Sequence, residues 1–250
     1  MKHAPAPTAQ PDSALRKVRL KAFGPLLCVL TAVLPHPHAV AQGTATSALP
    51  AVVVWDFDNQ TPGAVPGAGP SDFLRRSLSE NLTASLLQVA GLPVLERQRL
   101  KDLLAEQKVS AAELADEDAR VRLGRIVGAG RMVFGGYFVL GDQVQVHVRV
   151  VDTATSRVLF SDETSTAMAS VMQQIEPLNR RLSRALGAGA GPGLSFSAAS
   201  WQAYDDALAL ADAGRLDDAV LALQALLGKD KGFAPAERQL VALLDKLSRR

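Results

Sequence analysis

The sequence predicts an α/β protein: a mixed sheet with helices packed on it, followed by a small all-α tail built on a helical hairpin. Three observations carry this. Val52 to Val54 continues an apolar run with no alternation, the pattern of a strand covered on both faces. Gln143 to Val151 alternates strictly, with Val144, Val146, Val148 and Val150 on one face and Gln143, Gln145, His147 and Arg149 on the other. Beyond a Gly-rich linker, Ser200 to Leu226 alternates alanine and leucine at helical spacing.

The elements follow in order. Leu49 to Phe57 is the first expected strand, and Asp58 and Asn59 are expected to close it by turn bonds, with Thr61 helping. Residues 61–70, TPGAVPGAGP, must be a loop. Ser71 and Asp72 stand at a helix start, and Leu74, Leu78, Leu82 and Leu86 give that helix a core face up to Gly91. Leu92 to Leu95 is a short strand. Arg97 to Gln107 is a helix buried through Leu100, Leu103 and Leu104, and Glu117 to Val127 is another, with Val121, Leu123, Ile126 and Val127 inward. Gly128-Ala129-Gly130 caps it. Arg131 to Leu140, Gln143 to Val151 and Arg157 to Ser161 form a meander, with Gly141-Asp142 as the tight turn. Ala167 to Leu186 is helical, with Pro177 at a start or kink. The expected division is a domain over 49–186, a Gly-rich linker over 187–197 and a helical tail over 198–250, broken at Ala213-Gly214 and resumed from Pro235 to Leu247.

The first 41 residues have the layout of a secretory signal. Basic residues from Arg16 to Lys21 precede FGPLLCVLTAVL, which is too short for the roughly 20 residues of a spanning helix. Ala39-Val40-Ala41 supplies the small residues of a cleavage site, and 42–48 is a short linker. Cys28 lies inside the apolar core with Leu26-Leu27 before it, which argues against acylation; without it the exported chain has no thiol for a disulfide or a metal. The signal takes with it five of the 27 Lys and Arg and one of the 25 acids, turning a net charge of +2 into −2. That balance argues against a nucleic-acid partner. His147 is the one histidine left, so multi-histidine metal sites and relays are excluded.

One short stretch invites an enzymatic reading. VVVWDFDNQT resembles the first signature of the haloacid-dehalogenase phosphatases, in which Asp56 would attack phosphorus and Asp58 would act as acid and base. The family wants Ser or Thr two residues after the second Asp; here that position is Gln60. The later acidic pair that would hold magnesium has only Gly141-Asp142 as an echo. No Gly-x-Ser-x-Gly elbow occurs, and His147 sits on the polar face of a strand. The expectation is therefore a chain that is not an enzyme, with no cofactor and no metal.

A second resemblance covers about residues 50 to 165. PAVVVWDFDNQT, SLSENLTASLLQ, LPVLERQRLKDLLAEQKVS, LGRIVGAGRMVFGGYF and VQVHVRVVDTATSRVLFSDE resemble, in order and spacing, the CsgG-like family. That family includes the curli secretion protein and is similar in fold to the TolB amino-terminal domain and to lipoproteins that activate peptidoglycan synthases. Glu96-Arg97 with Leu104 and Glu106 correspond to the family's Glu-Arg motif and following helix; Gly124, Gly128 and Ala129 to its Leu-Gly and Gly-Ala pairs; Asp152 to its strand-turn-strand; Asp58 and Asn59 to the end of its first strand. The resemblance implies a CsgG/TolB-like domain that binds envelope or secretion proteins in the periplasm or at the outer membrane, with homo-oligomers as one form and regulation of a peptidoglycan synthase as the alternative role. The departures limit it. The pore-forming member inserts long hairpins, whereas here Gly141-Asp142 alone joins the two strands, so no membrane insertion is expected after the signal is removed. The tail from Trp201 resembles a degenerate tetratricopeptide repeat through Ala207, Leu210, Gly214, Ala219, Leu223 and Leu226.

Overall fold

The computed structural model describes residues 49–249 apart from 66–68, 111–113, 115, 190 and 192. The expected signal over 1–41, its cleavage site and the linker over 42–48 lie outside the described residues. From Leu49 on, the chain folds as a mixed sheet with helices on both faces and an all-helical end, the fold class the sequence predicts.

The apolar run becomes β1 (Val52–Val54), shorter than the expected 49–57 but buried on both faces. After three irregular residues the chain forms β2 (Asp58–Asn59), then helix α1 (Leu74–Leu87), β3 (Val94–Leu95), α2 (Arg97–Glu106) and α3 (Glu117–Ile126). A meander follows: β4 (Arg131–Leu140), β5 (Gln143–Asp152) and β6 (Val158–Ala167). The sheet order is β3-β1-β4-β5-β6, with β2 also on β4. β1 runs parallel to both β3 and β4, while β4, β5 and β6 are antiparallel.

Two apolar clusters show how both faces of β1 are used. Val52 and Val54 join Leu74, Leu78, Leu82 and Leu86 of α1 and the four inward valines of β5. Val53 and Trp55 point the other way, to Leu100 of α2, Val121 of α3, and Met132 and Phe134 of β4. The strand is continuous in valine because both faces need one.

Three expectations are corrected. Asp58 and Asn59 do not simply close a strand; they re-enter the sheet, opposite Gly136 and Tyr137. Ile126 is 61% exposed, because the buried stripe of α3 runs through Arg120, Leu123 and Gly124 and carries position 126 off the sheet-facing side. The last strand does not end at Ser161 but runs to Ala167, and helix starts only after a tight turn at Met168–Ser170. The polar run SDETST hid that strand. Its alternate residues Asp162, Thr164 and Thr166 stand opposite Val148, Val146 and Val144, and β-branched threonines suit a pleated surface. Asp162 is accommodated by an ion pair with Arg181.

Helix α4 (Val171–Gln174) and α5 (Glu176–Ala185), with Pro177 in its first turn, pack Ile175, Leu178 and Leu182 into the α1 side of the sheet. The tail is α6 (Ala198–Asp212), α7 (Leu216–Lys229) and α8 (Ala234–Ser248). Its centre is aromatic: Trp201 and Phe233 are fully buried with ring centroids 4.7 Å apart, and Tyr204 and Phe196 complete the group. The tail lies against α1, in the same compact unit as the sheet. Hence α1 is buried all round, and Ser77, Ser79, Glu80, Asn81, Thr83 and Ser85 are inside as well as the leucines.

Close packing also decides residue choice in mid-sheet. A Cβ added at Gly135 of β4 would stand 2.3 to 2.5 Å from three ring atoms of Phe57, itself 1% exposed. The ring cannot yield without leaving the core. Gly135→Ala is expected to cost about 1–3 kcal/mol, read as a lower urea midpoint at unchanged slope. A midpoint within error of the parent would show that Phe57 has room to move.

Candidate functional site

A part-apolar hollow forms where β1 ends. Trp55 still donates its N–H to the Val133 carbonyl (3.0 Å), but the next donor, Phe57 N–H, bonds to Arg75 of α1 (2.9 Å), so the chain swings out of the sheet at Asp56 and returns at Asp58. This exit separates the two carboxylates. Asp56 turns to the α1 side, where the Ser79 hydroxyl donates to it (3.3 Å). Asp58 turns to the α3 side, where Arg120 reaches it at 3.4 Å. Between them lies a cleft of about 230 Å³. Trp55, Leu100, Leu104 and Leu114 give it apolar walls, and Arg75, Lys101 and Arg120 bring cations to it.

Arg120 is only 9% exposed, lies 5.1 Å from the centroid of the Phe134 ring and leaves its Nε without a hydrogen-bond partner among the described residues. Trp55 Nε1 is likewise buried without a partner. A second, more polar hollow shares Asp56, Arg75 and Lys101 with the first and is closed on its far side by the tail. There Arg76 of α1 bridges Asp205 (2.5 Å) and Asp212 (3.1 Å) of α6, and Lys101 meets Asp212 at 2.5 Å.

The residues singled out in the sequence fall into two groups at opposite ends of the parallel strands. Asp58 and Leu104 belong to the cleft at the carboxyl end. Asn59 is beside them, its Oδ1 accepting from the Thr61 N–H (3.1 Å), and the Thr61 hydroxyl accepts from the Val139 N–H (3.0 Å). Glu96, just before α2, points to the tail and pairs with Arg238 of α8 at 3.4 Å. Glu106 is exposed at the end of α2, and Arg97 begins that helix with its side chain outside the described residues.

Gly124, Gly128, Ala129 and Asp152 gather instead at the amino end of β4. Gly128 takes φ +76° and ends α3; its N–H bonds to the Arg125 carbonyl and that of Ala129 to the Gly124 carbonyl (2.8 Å), the paired bonds of a Schellman turn. Gly124 lets α3 approach β4, since a Cβ there would fall 2.2 Å from the Met132 sulfur. The Ala129 carbonyl accepts from the Thr153 hydroxyl (2.6 Å), and Asp152 Oδ1 accepts from the N–H groups of Ala154 and Thr155 and the Thr155 hydroxyl. The bonds from Thr155 hold the Asp152 carboxyl below its usual range. This seam joins α3, β4 and β5.

The structure sets the two aspartates of the phosphatase-like motif apart. Asp56 and Asp58 are held by different helices on different sides, and no group of three or more His, Cys, Asp or Glu that could hold a metal gathers among the described residues. His147 is half-buried on the open face of the sheet, its Nε2 3.5 Å from Gln60 Nε2. Burial, with Arg149 beside it, pushes its pKa below the ordinary value. No helix among the described residues is long and apolar enough to cross a membrane.

Sequence reasoning missed the cationic side of the cleft. A signal was present for Arg120, which shares the three-to-four spacing of Leu123, Gly124 and Val127 and so had to lie on the buried face of α3. Arg75 and Lys101 carry no such signal, because their role depends on where β1 leaves the sheet.

Residues 37–141 match the family described as curli production assembly/transport component CsgG. The match begins within the expected signal and ends at the β4–β5 turn, so the turn at Asp152 lies beyond it. Among solved structures, the chain is similar to the LpoB C-terminal domain from Salmonella enterica, at 16% identity over 50% of this chain and 88% of that one, TM-score 0.35. It is similar to lipoprotein GNA1162 from Neisseria meningitidis at 17% identity, over 55% and 94%, TM-score 0.37. The PelC dodecamer from Paraburkholderia phytofirmans gives 13% identity, 55% and 88%, TM-score 0.34. No curated protein matches the chain by sequence.

Proposed function

We propose, because residues 37–141 match the family described as curli production assembly/transport component CsgG, that the protein is a non-enzymatic binding module of the cell envelope, in the periplasm or associated with the outer membrane, where it serves assembly or secretion. The family match is the observation that carries this. The short β4–β5 turn supports an accessory rather than a pore, since a two-residue connection has none of the nine to eleven residues per strand that a barrel hairpin needs. A second copy of the chain is a partner of the same kind, and sedimentation of the purified chain reads that directly.

The test is co-purification of a tagged full-length chain from the envelope fraction of its own host. Recovery of assembly or secretion components is the expected result. Recovery of a peptidoglycan synthase instead would move the protein to the regulator role. Magnesium-dependent hydrolysis of phosphate esters, lost in Asp56→Asn, would overturn the reading; the expected outcome is that parent and Asp56→Asn are alike and inactive.

A further inference from the structure

We propose that the cleft at the carboxyl end of β1 receives the carboxyl-terminal residue of a partner polypeptide, one that ends in a large apolar side chain. This rests on the binding-module reading and names what the module would hold. Position comes first. In sheets with parallel strands, ligands favour the crevice beyond the carboxyl ends, where connections leave to opposite faces. Here α1 leaves β1 to one face and α2 with α3 leaves β3 to the other.

Size comes next. About 230 Å³ is below the roughly 300–1,000 Å³ of cofactor and drug-sized sites, and suits one residue. The chemistry then selects the residue. Of the three cations Arg120 is paired with Asp58 and Lys101 with Asp212, while Asp56 accepts from Ser79. Arg75 has no ion-pair partner among the described residues. The buried polar atoms of the walls without partners, Arg120 Nε and Trp55 Nε1, are both donors. Unmet donors beside a guanidinium call for a planar anionic acceptor, and a carboxylate meets Arg in two parallel bonds. Leu100, Leu104 and Trp55 call for an apolar group at the same spot. A carboxyl-terminal residue alone among peptide positions carries a carboxylate and a side chain on one Cα, and terminal carboxylate capture is a recurring recognition mode.

The probe is N-acetyl-L-leucine, read through the emission of Trp55 in the full chain, with Trp55→Phe to assign the signal against Trp201. Saturation is expected at about 1–10 mM for a ligand of this size. N-acetyl-L-leucinamide and N-acetylglycine should bind at least about tenfold more weakly, and so should the parent ligand to Arg75→Ala, with Arg75→Lys between. Far-UV circular dichroism and melting of Arg75→Ala should be unchanged, since its side chain holds no ion pair with a described residue. Equal binding of the amide, undiminished binding to Arg75→Ala, or no saturation would each overturn the proposal. The two readings fail separately: envelope partners without probe binding remove only the cleft's role, and probe binding without envelope partners removes only the envelope function.

Discussion

Trp201→Ala is expected to destabilise the chain by about 3–5 kcal/mol, a large fraction of the 5–15 kcal/mol that holds a typical domain. Trp201 is fully buried, packs edge-on to Phe233 at 4.7 Å and to Tyr204 at 5.9 Å, and lends its carbonyl to the Ser77 hydroxyl of α1 (3.3 Å). Its removal opens a cavity at the place where the tail meets the sheet's own helix. The measurement is urea unfolding followed by far-UV circular dichroism. Trp201→Phe separates the ring from the cavity: the indole Nε1 is buried without a partner, so the phenyl ring loses volume but also sheds an unmet donor. That variant should remain within about 1.5 kcal/mol of the parent. A loss below about 1 kcal/mol in Trp201→Ala would mean that the tail closes over the gap and that its aromatic centre contributes little.

The second large effect is at the polar part of the same junction. Arg76 reaches Asp205 and Asp212 of α6, and its own side chain and that of Asp205 are 19% and 12% exposed. Burial pushes the Asp205 carboxyl up from its ordinary range even with Arg76 beside it. Arg76→Ala therefore strands a largely buried carboxylate, and a loss of about 2–4 kcal/mol is expected. Asp205→Asn added to Arg76→Ala should recover part of the loss, because it removes the stranded charge rather than the packing. If the double variant is no better than Arg76→Ala alone, the junction is held by its apolar contacts and the ion pairs are incidental. The pair between Glu96 and Arg238 is more exposed and should matter little by comparison.

The parts of the fold legible in the sequence are those whose residue pattern has one solution. The valines of β1 needed two covered faces and have them; the alternation of β5 puts its valines in and His147 and Arg149 on the open side; the leucine stripe of α1 meets the sheet. Illegible parts depended on neighbours far along the chain. β6 continues through SDETST because β5 offers it a register, which no local propensity announces. The serines and Asn81 of α1 look like a solvated face, and only helices far downstream bury them: the Ser77 hydroxyl donates to the Trp201 carbonyl of the tail, and Asn81 meets Asn179 of α5 at 2.7 Å. The candidate site divides the same way. Asp58 and Leu104 could be picked out from their motifs, but the cations that give the cleft its character could not be assembled until the chain was seen to leave the sheet at Asp56.

The strand order has a consequence for how the molecule comes into being. β1 is the central strand of the parallel part, yet its neighbour β4 is residues 131–140. A chain synthesised from its amino end presents VVVW long before that partner exists. Until β4 arrives, a short, uncharged, β-branched segment keeps one edge unpaired, the kind of edge that pairs with the wrong chain. The hairpins of β4, β5 and β6, by contrast, close locally and need nothing upstream. Completion of the sheet thus waits on residues 131–140, the later made of the two strands that flank β1.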